Sequence, residues 1–169
     1  MNRRALLRTG LSGLGFLPFL AACGFRLRGT TPIPPALQQP YVEGLPVNDP
    51  LALELSILLR GNGAAPATAV EGASAVITIL DQKRREDVRA IGQSGGAVDF
   101  ELTHRVTFSS RGVTVPYELP RTDVVATGSF SYPAADALQR AEGKRIIEQD
   151  LARENALAIV ERIRAVVAP

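Results

Sequence analysis

The clearest pattern in the chain is a strict alternation of apolar and polar residues from Val98 to Ser109. A period of two over twelve residues predicts a β-strand with one buried face and one polar face. His104 falls on the apolar side, where a histidine held in the core by one hydrogen bond is the ordinary interpretation. The polar side carries Asp99, Glu101, Thr103 and Arg105.

Two elements are predicted ahead of the next strands. Tyr41 and Val42 mark an edge strand over residues 39–47, because the prolines around it forbid a helix. Asp49-Pro50 is typical of a helix start, with Asp49 as N-cap and Pro50 at the first helical position. Leu51, Leu55 and Leu58 then form an apolar face, and Gly61-Asn62-Gly63 ends the helix.

Three strands follow this helix. Residues 75–80 (AVITIL) form an apolar run that a charged segment, residues 83–87, continues. Glycines at 92–96 predict a turn before the alternating strand, and residues 110–112 (SRG) predict a hairpin turn after it. The last strand lies within residues 113–132. Pro116 and Pro120 interrupt it, which indicates a sheet edge or a bulge.

Residues 134–167 show one long helical pattern. Ile147, Leu151 and Ala158 form one apolar stripe, and Ala156, Val160, Ile163 and Val167 form another. Either the helix contacts both its own sheet and a partner, or the stripes merge into one wide face toward the core. The order strand, helix, three strands, helix predicts an α+β two-layer sandwich: a four-stranded mixed sheet with two helices on one face. The first two strands are expected to be parallel and the others antiparallel.

The first 23 residues have the features of a bacterial lipoprotein signal. Arg3, Arg4 and Arg8 precede a short apolar run that ends in Leu20-Ala21-Ala22-Cys23, and Cys23 is the only cysteine. We therefore expect a signal peptide over 1–22, a lipid-modified Cys23 opening a proline-rich tether over 23–38, and one domain over 39–169. Gly24 in place of Asp favours the outer membrane. The alternatives are an ordinary secretory signal and an N-terminal membrane helix.

Charge and residue counts exclude several functions. The chain carries a net charge of +2, but without Arg3, Arg4 and Arg8 there remain 16 basic and 17 acidic side chains, so a globally basic nucleic-acid binder is disfavoured. One cysteine and one histidine allow no intrachain disulfide and argue against a zinc site. A catalytic triad would have to use His104. The sequence thus predicts a non-enzymatic protein with no cofactor and no metal.

Basic side chains concentrate in one stretch of the mature chain. They are expected to cluster where the hairpins meet and to bind phosphate oxygens there, although a solvated strand end is the simpler interpretation. The members of this candidate cluster are Lys83, Arg84, Arg85, Arg89 and Arg111. Arg140, Lys144 and Arg145 open the last helix, where cations oppose the helix dipole.

The residues after the lipobox resemble a known family. ACGFRLRG at residues 22–29, continuing through 30–34 (TTPIP), is similar to the start of the LPS-assembly lipoprotein LptE (RlpB) family. The likeness returns at residues 137–142 (ALQRAE) and 159–163 (IVERI). The chain departs from the family pattern in its Gly/Ala-rich loop at 92–97 and in Gly143.

The resemblance implies a partner and a ligand. It implies that the protein plugs the outer-membrane β-barrel LptD, aids assembly of that barrel and binds lipopolysaccharide during its transport to the outer leaflet. It also implies that Arg89 and Arg140 match basic residues that contact the ligand. Two other functions remain open at this point: a structural docking lipoprotein of another envelope complex, and a periplasmic hydrolase built on His104.

Overall fold

The computed structural model describes residues 33–92, 97–131 and 137–167. They form a four-stranded sheet in the order β1-β2-β3-β4, preceded by a short 3₁₀ turn at Pro35–Leu37. The strands are β1 (Pro40–Glu43), β2 (Ala75–Ile91), β3 (Ala97–Gly112) and β4 (Glu118–Ser131), and the helices are α1 (Pro50–Gly61) and α2 (Ala137–Val167). The predicted α+β sandwich is confirmed.

Strand β1 is shorter than predicted. It pairs in parallel with β2, Pro40 opposite Ala75, and ends at Glu43 instead of continuing to residue 47. Gly44 explains the early end, because its φ is +86° and a Cβ there would collide with the backbone carbonyl of Ile79. Only glycine fits so close an approach in that conformation.

Helix α1 begins and ends as its sequence predicts. Oδ1 of Asp49 accepts a hydrogen bond of 2.8 Å from the backbone N–H of Leu51, and Pro50 occupies the first turn. Asn62 is the C-cap. The fully buried side chains are Leu51, Leu55 and Leu59. The predicted third member, Leu58, is only partly buried, because the stripe drifts around the helix by one position.

Strands β2 and β3 form a long antiparallel hairpin. Residues 110–112 do not turn: Ala75 pairs with Gly112, and the Ser110 hydroxyl donates to the backbone carbonyl of Val76 at 3.1 Å. The turn prediction there was wrong, because these pairings keep β3 extended to its end. The other predicted turn, at residues 92–96, lies almost wholly outside the described residues.

The two prolines near the start of β4 lie where a sheet edge or a bulge was predicted. Pro116 lies in the loop before it, and Pro120 lies in β4 beside an irregularity where Ser110 pairs with Leu119 but Phe108 pairs with Thr122. Strand β4 is also an edge of the sheet. Both a bulge and an edge therefore accommodate the missing N–H of Pro120.

Helix α2 turns one wide apolar face toward the sheet. Leu151 packs with Leu102 and Ala126, while Ile159 and Ile163 belong to the main core beneath both helices. The two predicted stripes thus merge on the core side. Within the ranges given above, no helix is long and apolar enough to cross a membrane.

The buried residues form two separate clusters, which define two halves of the domain. In the two-helix half, the apolar ends of β2, β3 and β4 pack against α1 and the C-terminal part of α2 in one cluster of sixteen buried residues. In the hairpin half, which we define as residues 82–91, 97–105, 126–131 and 137–151, the buried cluster contains Leu102, Ala126 and Leu151. The predicted signal peptide, Cys23 and most of the tether lie outside the described residues.

Candidate lipid-binding and partner-contact surfaces

Two cations of α2 converge on one carboxylate of β2. The guanidinium of Arg140 lies 2.9 Å from Oε1 of Glu86, and Nζ of Lys144 lies 2.7 Å from Oε2. Arg140 and Lys144 are four residues apart, so both side chains leave the same side of the helix. The hydrogen bond from Lys144 is the main cause that lowers the pKa of Glu86; Arg140 adds to it and burial opposes it.

Stacked aromatic rings support Arg140 from below. The rings of Phe100 and Phe130 are stacked with centroids 5.3 Å apart, and the guanidinium of Arg140 lies 4.6 Å from the centroid of Phe100. A ring face attracts a cation, so Phe100 restricts where Arg140 lies. At Gly143 an added Cβ would lie 3.5 Å from the ring of Phe130, an ordinary van der Waals distance, so this glycine lies next to the aromatic pair.

Arg89 lies at the same end of the sheet, but on its other face. It is 3.7 Å from the carboxylate of Glu101, and its side chain is 62% exposed. Val88, next to it, pairs across the strands with Phe100 and is itself exposed, as is Ile91. Val88 shares the helix side with Phe100 and Arg140, whereas Arg89 lies on the opposite face. The hairpin half thus presents cations on both faces and exposed aliphatic side chains at the same end of the sheet.

The helix-free face of the sheet is polar and bears a shallow concavity of about 690 Å³. Its charged lining is Lys83, Arg85, Asp87 and Arg105, with Arg84 at one side. Each of the three lining cations that point to this face has an acidic neighbour: Lys83 lies 3.4 Å from Asp81, Arg85 lies 2.9 Å from Asp87, and Arg105 lies 3.2 Å from Asp123. This alternation leaves little net positive potential.

Asp123 is the most strongly held of these carboxylates. The Thr107 hydroxyl donates to its Oδ1 at 2.7 Å, and this hydrogen bond is the main cause that lowers the pKa of Asp123. Arg105 contributes in the same direction.

The pattern of alternation marked Arg105 as surface-facing, but the sequence offered no signal that it shares the concavity with Lys83 and Arg85.

The predicted basic cluster is divided among several places. Lys83 and Arg85 share the helix-free face with Arg89. Arg84 points to the helix side, where it lies 3.5 Å from the Asp49 carboxylate. Arg111 pairs across the strands with Val76, at the opposite end of β3 from the hairpin turn. A single phosphate site containing all five residues is therefore wrong, because adjacent strand residues point to opposite faces.

His104 lies in a buried polar network between the two halves. It is 2% exposed, and its Nε2 donates to Oε1 of Gln82 at 3.0 Å. The Gln82 amide nitrogen donates in turn to Asp49, at 3.3 Å. Asn155 of α2 donates to the backbone carbonyl of His104 at 2.9 Å.

This environment keeps the imidazole neutral. Burial is the main cause that lowers the pKa of His104 to about 4, and the charge of Arg84 adds to the effect while Asp49 opposes it. Nδ1 is buried and meets no acceptor within the described ranges, so a proton there would lack a hydrogen bond. So deep a position gives a substrate no access, which argues against a hydrolase built on His104. No group of three metal-ligating side chains occurs in the described part of the chain.

Solved structures share this fold. A minor lipoprotein from Acinetobacter baumannii has a TM-score of 0.60 at 18% identity, with 76% of this chain and 92% of that chain covered. The rare lipoprotein B from Shewanella oneidensis has a TM-score of 0.62 at 14% identity, with coverages of 75% and 94%. The fold is thus that of small bacterial lipoproteins with a two-layer α+β domain.

Sequence relatives narrow the class. The LPS-assembly lipoprotein LptE of Photorhabdus laumondii is 30% identical over 98% of this chain and 88% of that protein. The protein of the same name from Yersinia enterocolitica is 32% identical over 73% of this chain. The chain belongs to the LPS-assembly lipoprotein LptE family, which is named for assembly and not for a reaction.

The similarity to these relatives covers different shares of their length. The match to the Yersinia enterocolitica protein spans 53% of that relative's length. No family model matches the chain.

Proposed function

We propose that the protein is a lipid-anchored outer-membrane component that partners an LptD-type β-barrel as plug and assembly factor and binds lipopolysaccharide. The observation that carries this proposal is the 30% identity to an LPS-assembly lipoprotein LptE across 98% of the chain. Two features of the domain support it: a polar sheet face without helices, and a hairpin half that presents cations beside exposed aliphatic side chains.

The anchor is the lipidated Cys23, on the periplasmic side of the membrane. Acyl chains hold a protein to a bilayer because each buried methylene contributes about 0.8 kcal/mol. Cys23→Ala is expected to leave the protein uncleaved or free in the periplasm, as measured by membrane fractionation and by the mass of the mature N-terminus. An unmodified thiol in the wild-type protein, with equal membrane binding of both forms, would contradict the assignment.

The barrel contact uses the helix-free sheet face. Its ion pairs remain solvated, which suits a polar wall inside a barrel better than lipid. A photo-crosslinker at Thr103 on this face, and one at the exposed Leu157 of α2, are expected to capture the LptD-type barrel, identified by mass spectrometry. Leu151 is unsuitable for such a probe because it is buried.

The outcome separates this proposal from a docking lipoprotein of another complex. Capture of the barrel from Thr103 supports the plug. Capture of a different envelope protein from both positions supports the docking alternative, and recovery of no protein from either position contradicts the plug.

Lipopolysaccharide binding is assigned to the hairpin half, with Arg89 and Arg140 toward the phosphates of lipid A. The mature chain is nearly neutral, so long-range attraction supplies little affinity and local cations must supply it. Guanidinium groups suit this task because they bind phosphate oxygens bidentately. Arg111 is less suited, since it lies at the opposite end of β3 from the hairpin turn, whereas Arg89 and Arg140 lie at the same end of the sheet, one on each face. Lys83, Arg84 and Arg85 remain further candidates.

The double variant Arg89→Ala/Arg140→Ala tests this assignment. Loss of two charge-assisted contacts is expected to weaken lipopolysaccharide binding by at least about tenfold, with little change in thermal stability. Binding by the wild type is also expected to weaken with added salt. Unchanged affinity in a folded double variant would exclude these two residues, and salt-insensitive binding would point to acyl-chain contacts instead.

A further inference from the structure

Glu86 occupies a position that an anionic ligand could take. Its two carboxylate oxygens each meet a different cation, Arg140 at 2.9 Å and Lys144 at 2.7 Å. The two donors are therefore spaced and directed to hold two oxygens of one anion. We call this pair of cations the Arg140–Lys144 fork.

The fork is accessible and is held in place. The Arg140 side chain is 48% exposed and that of Lys144 is 40% exposed, whereas Glu86 is 23% exposed. Phe100 lies beneath the guanidinium of Arg140, at 4.6 Å, and holds it over the sheet. A ligand can thus approach the cations from solvent without first separating the helix from the sheet.

Helix stability does not account for two cations at this position. Arg140 lies at the end of the first turn of α2, where the helix dipole disfavours positive charge, and Lys144 lies one turn further along. Exposed ion pairs contribute on the order of 1 kcal/mol at most, so the pairs with Glu86 add little to the fold.

We propose that the Arg140–Lys144 fork is a phosphate-binding site and that Glu86 is its internal counter-ion, displaced when a phosphate group of the ligand binds. This inference rests on the proposed lipopolysaccharide function and extends it to Lys144 and Glu86. A phosphate carries more negative charge and more acceptor oxygens than a carboxylate, and is therefore able to replace Glu86. Val88 is exposed on the same face two residues along β2 from Glu86, and offers an apolar contact to an acyl chain of the ligand.

Glu86→Gln tests the displacement, because glutamine keeps the shape and removes the charge. Its affinity for purified lipopolysaccharide with intact phosphates is expected to rise about two- to fivefold, the scale of one partly exposed ion pair. The matched control is Glu142→Gln. Glu142 pairs with Arg145 on the same helix, so this variant changes the net charge equally outside the fork, and its affinity is expected to stay within about twofold of wild type.

The cations are tested in the same assay. Arg140→Gln/Lys144→Gln is expected to bind about tenfold more weakly, whereas Arg145→Gln, which removes a cation outside the fork, is expected to bind within about twofold of wild type. Against lipopolysaccharide treated with phosphatase, all these variants are expected to match wild type. Purified full-length protein in detergent serves for every measurement, and a melting curve confirms that each variant is folded.

The outcomes separate this inference from the proposed function. If wild type binds lipopolysaccharide but Glu86→Gln binds equally or more weakly, displacement is overturned and the function stands. If wild type does not bind at all, the lipopolysaccharide function fails. Titration with inorganic phosphate, followed by the side-chain nitrogen NMR signals of Arg140 and Lys144, then decides the site: tighter saturation in Glu86→Gln supports the fork, and equal or absent saturation overturns it.

Discussion

The two-helix half and the hairpin half use the same sheet in opposite ways. In the first, two helices cover the strands and side chains such as Leu55, Ile77 and Ile159 are fully buried. In the second, only the N-terminal part of α2 covers the strands, and the described buried cluster shrinks to Leu102, Ala126 and Leu151. Charged pairs and one aromatic stack occupy the space that the first half fills with aliphatic side chains.

This difference indicates where stability and where binding are located. Buried apolar area is the main source of folding free energy, so the two-helix half stabilises the domain. Exposed ion pairs contribute little to stability. The hairpin half therefore presents Arg89, Arg140 and Lys144 on a frame whose stability comes from elsewhere. Three measurements sharpen or break this comparison.

Truncation of an isoleucine of α2 in each half is expected to give the largest difference in the free energy of unfolding. Ile159→Ala leaves a cavity in the main core and is expected to lower the free energy of unfolding by about 2–5 kcal/mol. Ile147→Ala, in the partly buried contact near Gly128, is expected to lower it by about 1 kcal/mol or less. Urea denaturation of both variants measures the difference. Equal losses would show that the two halves share the stabilising role.

The pH dependence tests the buried network at the boundary between the halves. The pKa of His104 is about 4 in the folded protein and about 6.5 in an unfolded chain, so the unfolded state binds a proton first as pH falls. The contribution of neutral His104 is thus complete above pH 6.5 and is lost as pH falls toward 4. Between pH 7.5 and pH 5 the free energy of unfolding is expected to drop by about 2 kcal/mol from this group.

His104→Gln supplies the control for that measurement. It removes the only imidazole of the chain but keeps a polar side chain at the site. Carboxylates titrate in both proteins, so the difference between the two pH profiles isolates His104. Parallel profiles for wild type and variant between pH 7.5 and pH 5 would mean that the histidine is solvated enough to keep its ordinary pKa.

The smallest effect is expected in the hairpin half. Arg140→Ala removes an ion pair with Glu86 and a contact with Phe100, but both lie at a half-exposed surface. The free energy of unfolding is expected to fall by about 1 kcal/mol at most. A melting curve beside the binding assay checks this. A loss comparable with that of Ile159→Ala would assign Arg140 to the fold rather than to ligand binding.

Local signals in the sequence predicted the elements well. Asp49-Pro50 begins α1, Pro120 falls at an edge beside a bulge, and the alternation through His104 assigns the faces of β3. These features act over a few residues, through backbone geometry and side-chain direction, so they can be recognised without the rest of the chain. Two other features could not be recognised from local signals, because distant residues decide them. The end of β1 depends on the close approach of the Ile79 carbonyl to Gly44, and the extended conformation of residues 110–112 depends on the pairing of Gly112 with Ala75.

The sequence by itself determined the composition of the candidate site but not its arrangement. The basic residues between 83 and 89 are visible in the sequence as a run. In a strand, however, neighbouring side chains point to opposite faces, and the pairing register between strands decides which cations lie close together. Only the tertiary structure brought Lys144 to Glu86, 58 residues away, and separated Arg111 from Arg89. Proximity in the chain and proximity in space differ here for two reasons. The long β2–β3 hairpin places the two ends of each strand far apart, and helix α2 packs across the sheet with its N-terminal part near the hairpin end.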